Sequence, residues 1–188
     1  PTVTLVKLNT SAGTGTEAFA TAATTLAVSV TAVNDAPVFS DVGGSVAYTE
    51  SNVVQGLGTA VLLDADAKIS DVELSGLDNT ATDNFSGATL TVARQGAVNS
   101  DDVFAIVPNS VVSLAGSNIV IASATVATIT TNAAGTLVIT FAAGATDANV
   151  EAIMQQISFA NKSDAPPNSV TIEYTFNDKN TGSQGTGL

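Results

Sequence analysis

"VTIEYTF", residues 170–176, decides the fold class. Val170, Ile172, Tyr174 and Phe176 alternate with Thr171, Glu173 and Thr175. A period of two puts the apolar side chains on one face of a strand and the polar ones on the other. "ATLTV", residues 88–92, alternates in the same way. Outward from these, strand-like runs recur at Thr2–Leu8, Thr24–Val33, Ser45–Thr49, Ala88–Arg94, Val103–Ile106, Asn118–Ile121, Thr125–Thr130, Thr136–Phe141, Ile157–Ala160 and Val170–Asn177. Gly, Asn and Asp turns separate them. Many short strands with such punctuation predict an all-β fold, an antiparallel β-sandwich.

One stretch departs from the period of two. In "TDANVEAIMQQI", residues 146–157, Val150, Ile153, Met154 and Ile157 fall at i, i+3, i+4 and i+7. Thr146 reads as the N-cap and Asp147 as the acidic residue of the first turn. The spacing predicts one short helix closing an end or edge of the sandwich, with Met154 in the core. Ala165-Pro166-Pro167 ends that region.

Composition narrows the function classes. The 188 residues carry 17 Asp+Glu against five Lys+Arg, a net charge of −12, with no Cys and no His. Such a surface repels phosphate backbones and anionic lipid, and it suits cations. Disulfides, thiolate zinc sites, imidazole bases and Ser-His-Asp catalysis are excluded. No apolar run is long enough to span a bilayer, and the first residues lack the basic and apolar regions of a signal peptide. Paired carboxylates can serve glycosidic acid/base chemistry. With no Trp and only two Tyr, though, a sugar-stacking cleft is poorly supplied. The chain therefore reads as a non-enzyme.

The two ends are alike. "VTLVKLNTSAGTG" from Val3 and "VTIEYTFNDKNTGSQGTG" from Val170 each give a strand, then a Gly/Ser/Thr turn. The first copy continues through "AFATAATTLAVSVTAVNDAP". This is the pattern of a tandem array cut out of register. Residues 1–36 read as the final strands of a preceding repeat plus a joint. Residues 37–188 read as a repeat lacking its last strand. Leu26, Val28 and Val30 are then expected to be buried outside this copy's own sandwich.

At "VNDAPVF", residues 33–39, the sequence resembles the joint between cadherin-like repeats of giant bacterial adhesins secreted by type I systems (the RTX type). "VAYTE" (47–50 with Val46), "VLLDADAKISDVEL" (61–74), "FSGATLTVARQGAVNSDDVF" (85–104) and "SFANKSDAPPNSVTIEYTFND" (158–178) extend the likeness to the related CSPG-type repeat. One departure is Lys179, where such repeats often carry Gly. The resemblance implies an immunoglobulin-like sandwich, end-to-end stacking, and calcium at or near the joints.

The residues themselves suit calcium, which takes several oxygen ligands at once. Asp64 and Asp66, then Asp71 and Glu73, are spaced by two, so in extended chain each pair projects to one side. Carboxylates so close repel unless a cation neutralises them. Asn34 and Asp35 lie in the joint, with Pro37 stiffening the backbone behind them. With Glu50 and Asp178 these are the candidate metal ligands. The alternative is a solvated acidic loop with ordinary Asx turns. Asp101-Asp102 reads as a turn or cap. There is no EF-hand loop and no Gly-Gly-x-Gly-x-Asp run.

The function expected is a calcium-rigidified structural repeat at the bacterial cell surface or outside the cell, serving adhesion or biofilm architecture. Its partners are neighbouring repeats of the same or an identical chain, not nucleic acid or a membrane interior. A glycan or host receptor is left to other parts of a full protein. The alternatives are a filament or surface-lattice subunit linked by strand donation and, less well supported, a carbohydrate-binding module.

Overall fold

Alternating runs pair into antiparallel ladders throughout. The computed structural model describes residues 2–4, 25–29, 34–53, 56–75 and 84–179. The chain divides into two units, Pro1–Ala32 and Val33–Leu188. In the first, β1 (Thr2–Thr4) pairs with β2 (Thr25–Ala27) in the register Thr2↔Ala27, Val3↔Leu26, Thr4↔Thr25. Val28 is 44% exposed. The side chains of Leu26 and Val30 lie outside the described residues.

The second unit runs β3 (Val38–Ser40), β4 (Val61–Leu62), β5 (Lys68–Ser70), β6 (Thr89–Arg94), β7 (Asp102–Ile106), β8 (Val112–Ala115), β9 (Asn118–Ile121), β10 (Ala124–Ala133), β11 (Thr136–Phe141), helix α1 (Asp147–Met154), β12 (Ile157–Asn161) and β13 (Ile172–Asn177). Its largest sheet has the order β13-β6-β11-β10-β9-β8. A three-stranded sheet, β4-β12-β7, and a two-stranded one, β3-β5, complete the strand pairing. Across the layers, the Phe39 ring of β3 meets Tyr174 and Phe176 of β13 edge-on at 6.5 and 6.4 Å. Asn132 of β10 donates to the Phe104 carbonyl of β7 at 3.1 Å. Among the described residues this is a sandwich-like all-β fold with a single short helix.

The core lies between the layers. Leu90 and Val92 of β6, Leu137 and Ile139 of β11, Ile119 of β9 and Ile157 of β12 are fully buried. Alternation along β6 and β11 follows the two-residue period predicted for this class. β10, ten residues long, breaks register between Thr125 and Ala127 against β9, and between Ile129 and Thr131 against β11. Such breaks add twist to a strand.

Two expectations are corrected. The helix ends at Met154 rather than running to residue 157; the strand expected from Ile157 is formed as β12, where Ile157 faces Ile106 of β7. The β-branched Ile157 gains a ladder partner on β7 and accepts a hydrogen bond from Leu63 at 2.9 Å, which a longer helix would forgo. The N-cap is as expected, and Asn149 closes it reciprocally: Thr146 Oγ1 accepts from the Asn149 N–H, and Asn149 Oδ1 from the Thr146 N–H, both at 3.2 Å. The strand expected at Ser45–Thr49 is not formed. Tyr48 anchors that segment instead. Its hydroxyl donates to the Asn161 carbonyl at 2.7 Å and accepts from the Gly58 N–H at 2.9 Å.

Candidate metal centre

Two turns of Val33–Leu188 are built around aspartates. In the first, Asp64 is 8% exposed. Its Oδ1 accepts from the Asp66 N–H at 3.1 Å and its Oδ2 from the Gly43 N–H at 2.9 Å. Asp66 itself is exposed. This is an Asx turn whose carboxylate is satisfied by backbone.

The second turn follows β5. Asp71 is 2% exposed, and its Oδ1 accepts from the N–H groups of Glu73 and Leu74 at 2.9 and 2.8 Å. Its Oδ2 is buried without a hydrogen-bond partner. Glu73 is 3% exposed and accepts from the Asp35 N–H at 3.2 Å. Asp178, just past β13, is 8% exposed and accepts from Asn34 Nδ2 at 2.8 Å. Asn34 Oδ1 is the second buried oxygen here without a partner. Burial pushes the Asp71 carboxyl above its ordinary value, the Leu74 and Glu73 N–H groups pull it back, and the charges of Glu73 and Asp178 push it up again.

The eight candidate ligands thus separate. Asn34, Asp71, Glu73 and Asp178 come together, and Asp35 reaches Glu73 through its backbone. Asp64 and Asp66 form their own turn. Glu50 is exposed, and among the described residues no hydrogen bond joins it to the others. No three Asp, Glu, His or Cys side chains among the described residues form a group that would hold an ion by themselves. A buried carboxylate oxygen, Asp71 Oδ2, and a buried amide oxygen, Asn34 Oδ1, each without a hydrogen-bond partner, are of the type that suits a hard cation, which neutralises charge and fills oxygen lone pairs together.

The backbone at Lys179 is informative. Its φ of 60° is the left-handed conformation that glycine adopts freely. The Lys179 N–H donates to Asn177 Oδ1 at 2.8 Å. The side-chain acceptor and the tight turn keep Asp178 beside Asn34 despite the larger residue.

Two further polar groups were not legible as a site. Asp102 is in β7, not a cap. Its buried carboxylate takes a forked pair from Arg94, Nε at 2.8 Å and Nη2 at 2.6 Å, and a third bond from Asn161 Nδ2 at 2.7 Å. The Tyr174 hydroxyl is buried with no partner; burial first, and then the charge of Asp64, hold its phenol above the ordinary tyrosine value. The Arg94 pairing depends on β6 and β7 meeting across the sandwich, and no local spacing signals it.

Among the described residues no helix is long and apolar enough to cross a membrane. No protein-family model, curated protein or solved structure matches the chain.

Proposed function

We propose that the chain is a cadherin-like structural repeat of a large extracellular bacterial surface protein, and that calcium bound by Asn34, Asp71, Glu73 and Asp178 rigidifies its joint. The observation that carries this is the pair of buried, partnerless oxygens, Asn34 Oδ1 and Asp71 Oδ2, beside the carboxylates of Glu73 and Asp178. Asn34 belongs to the joint and the three acids to the body. One cation would therefore tie the linker to the domain that follows it. Calcium takes six to eight oxygens in a flexible shell. The four side chains leave positions for water, backbone or an acid from an adjoining repeat. The chain's role would be adhesion or surface architecture rather than catalysis.

A calcium titration of the purified chain, followed by melting, tests this. Ligand at a hundredfold excess over its dissociation constant stabilises the folded form by about 2.7 kcal/mol. Calcium should raise the melting temperature, chelator should reverse it, and Asp71→Ala should abolish the response while Asp66→Ala keeps it. A chelator-insensitive melting curve, or equal responses from both variants, refutes the site. On a denaturing gel the native protein should run as one very large chain; migration as small subunits would contradict a covalent stalk.

A further inference from the structure

β8, in mid-chain, is an outer strand of the six-stranded sheet, and its outer side is partly occupied by the chain itself. It pairs with β9 in the register Val112↔Ile121, Ser113↔Val120, Leu114↔Ile119, Ala115↔Asn118. Successive residues of an antiparallel strand turn their N–H and C=O groups to opposite sides. Those of Val112 turn away from β9. Its N–H donates to Asn109 Oδ1 at 2.7 Å, and its C=O accepts from the Asn109 N–H at 2.9 Å. The same Oδ1 accepts from the Val111 N–H at 2.8 Å. Asn109 thus fills the place of a strand partner at Val112. Pro108, just before it, has no N–H to offer a further strand. The N–H and C=O of Leu114 face the same side as those of Val112, and among the described residues no loop backbone bonds to them.

This edge lacks the usual protection. Residues 103–146, which hold β8 to β11 entire, contain no Asp, Glu, Lys or Arg, in a chain of net charge −12. Repulsion between copies is therefore weakest here. Charged side chains commonly blunt an edge strand, and β8 has none. Val, Ile and Thr make up most of β8 to β11, a composition that favours further pairing. Leu114 shares a face with Val112 and Ile119, both wholly buried, yet it is 39% exposed. Val111 beside it is 53% exposed.

We infer that Asn109, with Pro108, is an intramolecular plug that keeps β8 from pairing edge to edge with β8 of a second copy. The pairing it blocks is self-complementary, about a twofold axis at Ser113, with Val112 of one copy opposite Leu114 of the other. Within β8, every hydrogen-bonded pair of that register contains one Val112. Engaging Val112 alone therefore removes them all. Neither the metal site nor the tandem-repeat reading enters this inference.

Hydrogen exchange on the intact chain reads the plug directly. The Val111 and Val112 amides should be protected, and the Leu114 amide should exchange fast. N109A should lose protection at both amides and shift, in sedimentation velocity, from the parent's species towards a dimer as concentration rises. N109S keeps a hydroxyl that can accept from those amides, and should sediment as the parent does. N109A/L114K sets a charge on the edge and should return to the parent's behaviour. Val112 exchanging as fast as Leu114 in the parent overturns the inference without any variant having to fold. So does an N109A chain that loses amide protection yet sediments like the parent, or an association that L114K leaves intact.

Discussion

Replacing Asp71 with Asn should invert the stability order between metal-free and calcium-loaded protein. Asp71 is 2% exposed, and its Oδ2 has no hydrogen-bond partner. An unsatisfied buried polar atom costs about 1–3 kcal/mol, and more when charged. Asparagine keeps the Oδ1 acceptor for the Glu73 and Leu74 N–H groups while removing the charge that Glu73 and Asp178 repel. Metal-free Asp71→Asn should therefore be more stable by about 1–3 kcal/mol. A domain of this size shifts its melting point by roughly 3 °C per kcal/mol, so the gain is about 3–9 °C. Calcium at a thousandfold excess over its dissociation constant stabilises the wild type by about 4.1 kcal/mol, roughly 12 °C on the same scale. The variant forfeits most of that, because a neutral amide replaces one carboxylate of the shell. Calorimetric melting in chelator and in calcium measures all four states. A variant less stable than wild type in chelator, or one that gains as much from calcium, would show that Asp71 is neither an uncompensated buried charge nor a calcium ligand.

The same group sets a pH dependence. Because the folded Asp71 carboxyl is raised, its contribution to metal-free stability is present at low pH and is lost as pH rises through that raised value. Without calcium, the melting point of wild type relative to Asp71→Asn should rise on acidification from neutral pH; with calcium it should fall, since protons then compete with the ion. Asp102→Ala should cost about 3–5 kcal/mol by chemical denaturation, towards the lower end because the Arg94 side chain keeps 16% exposure. Thr146→Ala should cost about 1 kcal/mol through the lost N-cap, read as a lower urea midpoint at unchanged slope.

How much was legible differs by element. β6, β11 and β13 were readable because alternation alone defines a strand with one buried face. The start of α1 was readable because Thr146 and the apolar spacing sit within one turn of each other. Its end was not: Ile157 both continues the helical spacing and opens a strand-like run, and the ladder with β7 decides for β12. Segment 45–49 looks like a strand in sequence, yet Tyr48 is satisfied by Asn161 and Gly58 without a ladder. β5 and β8 are short and half polar, and their pairing is decided by distant partners. At the candidate site, the two-residue spacings pointed to Asp64, Asp66, Asp71 and Glu73 alike. Sequence carried no means of separating a carboxylate satisfied by backbone, Asp64, from one left with a bare oxygen, Asp71. That distinction depends on Asn34 and Asp178 being brought together from positions 144 residues apart.

Anomalous diffraction from crystals grown in calcium would locate the ion. A calcium peak is expected about 2.3–2.6 Å from both Asn34 Oδ1 and Asp71 Oδ2, with Glu73 and Asp178 in the same shell. No peak at those oxygens under saturating calcium, or a peak at the Asp64–Asp66 turn alone, would contradict the proposed site.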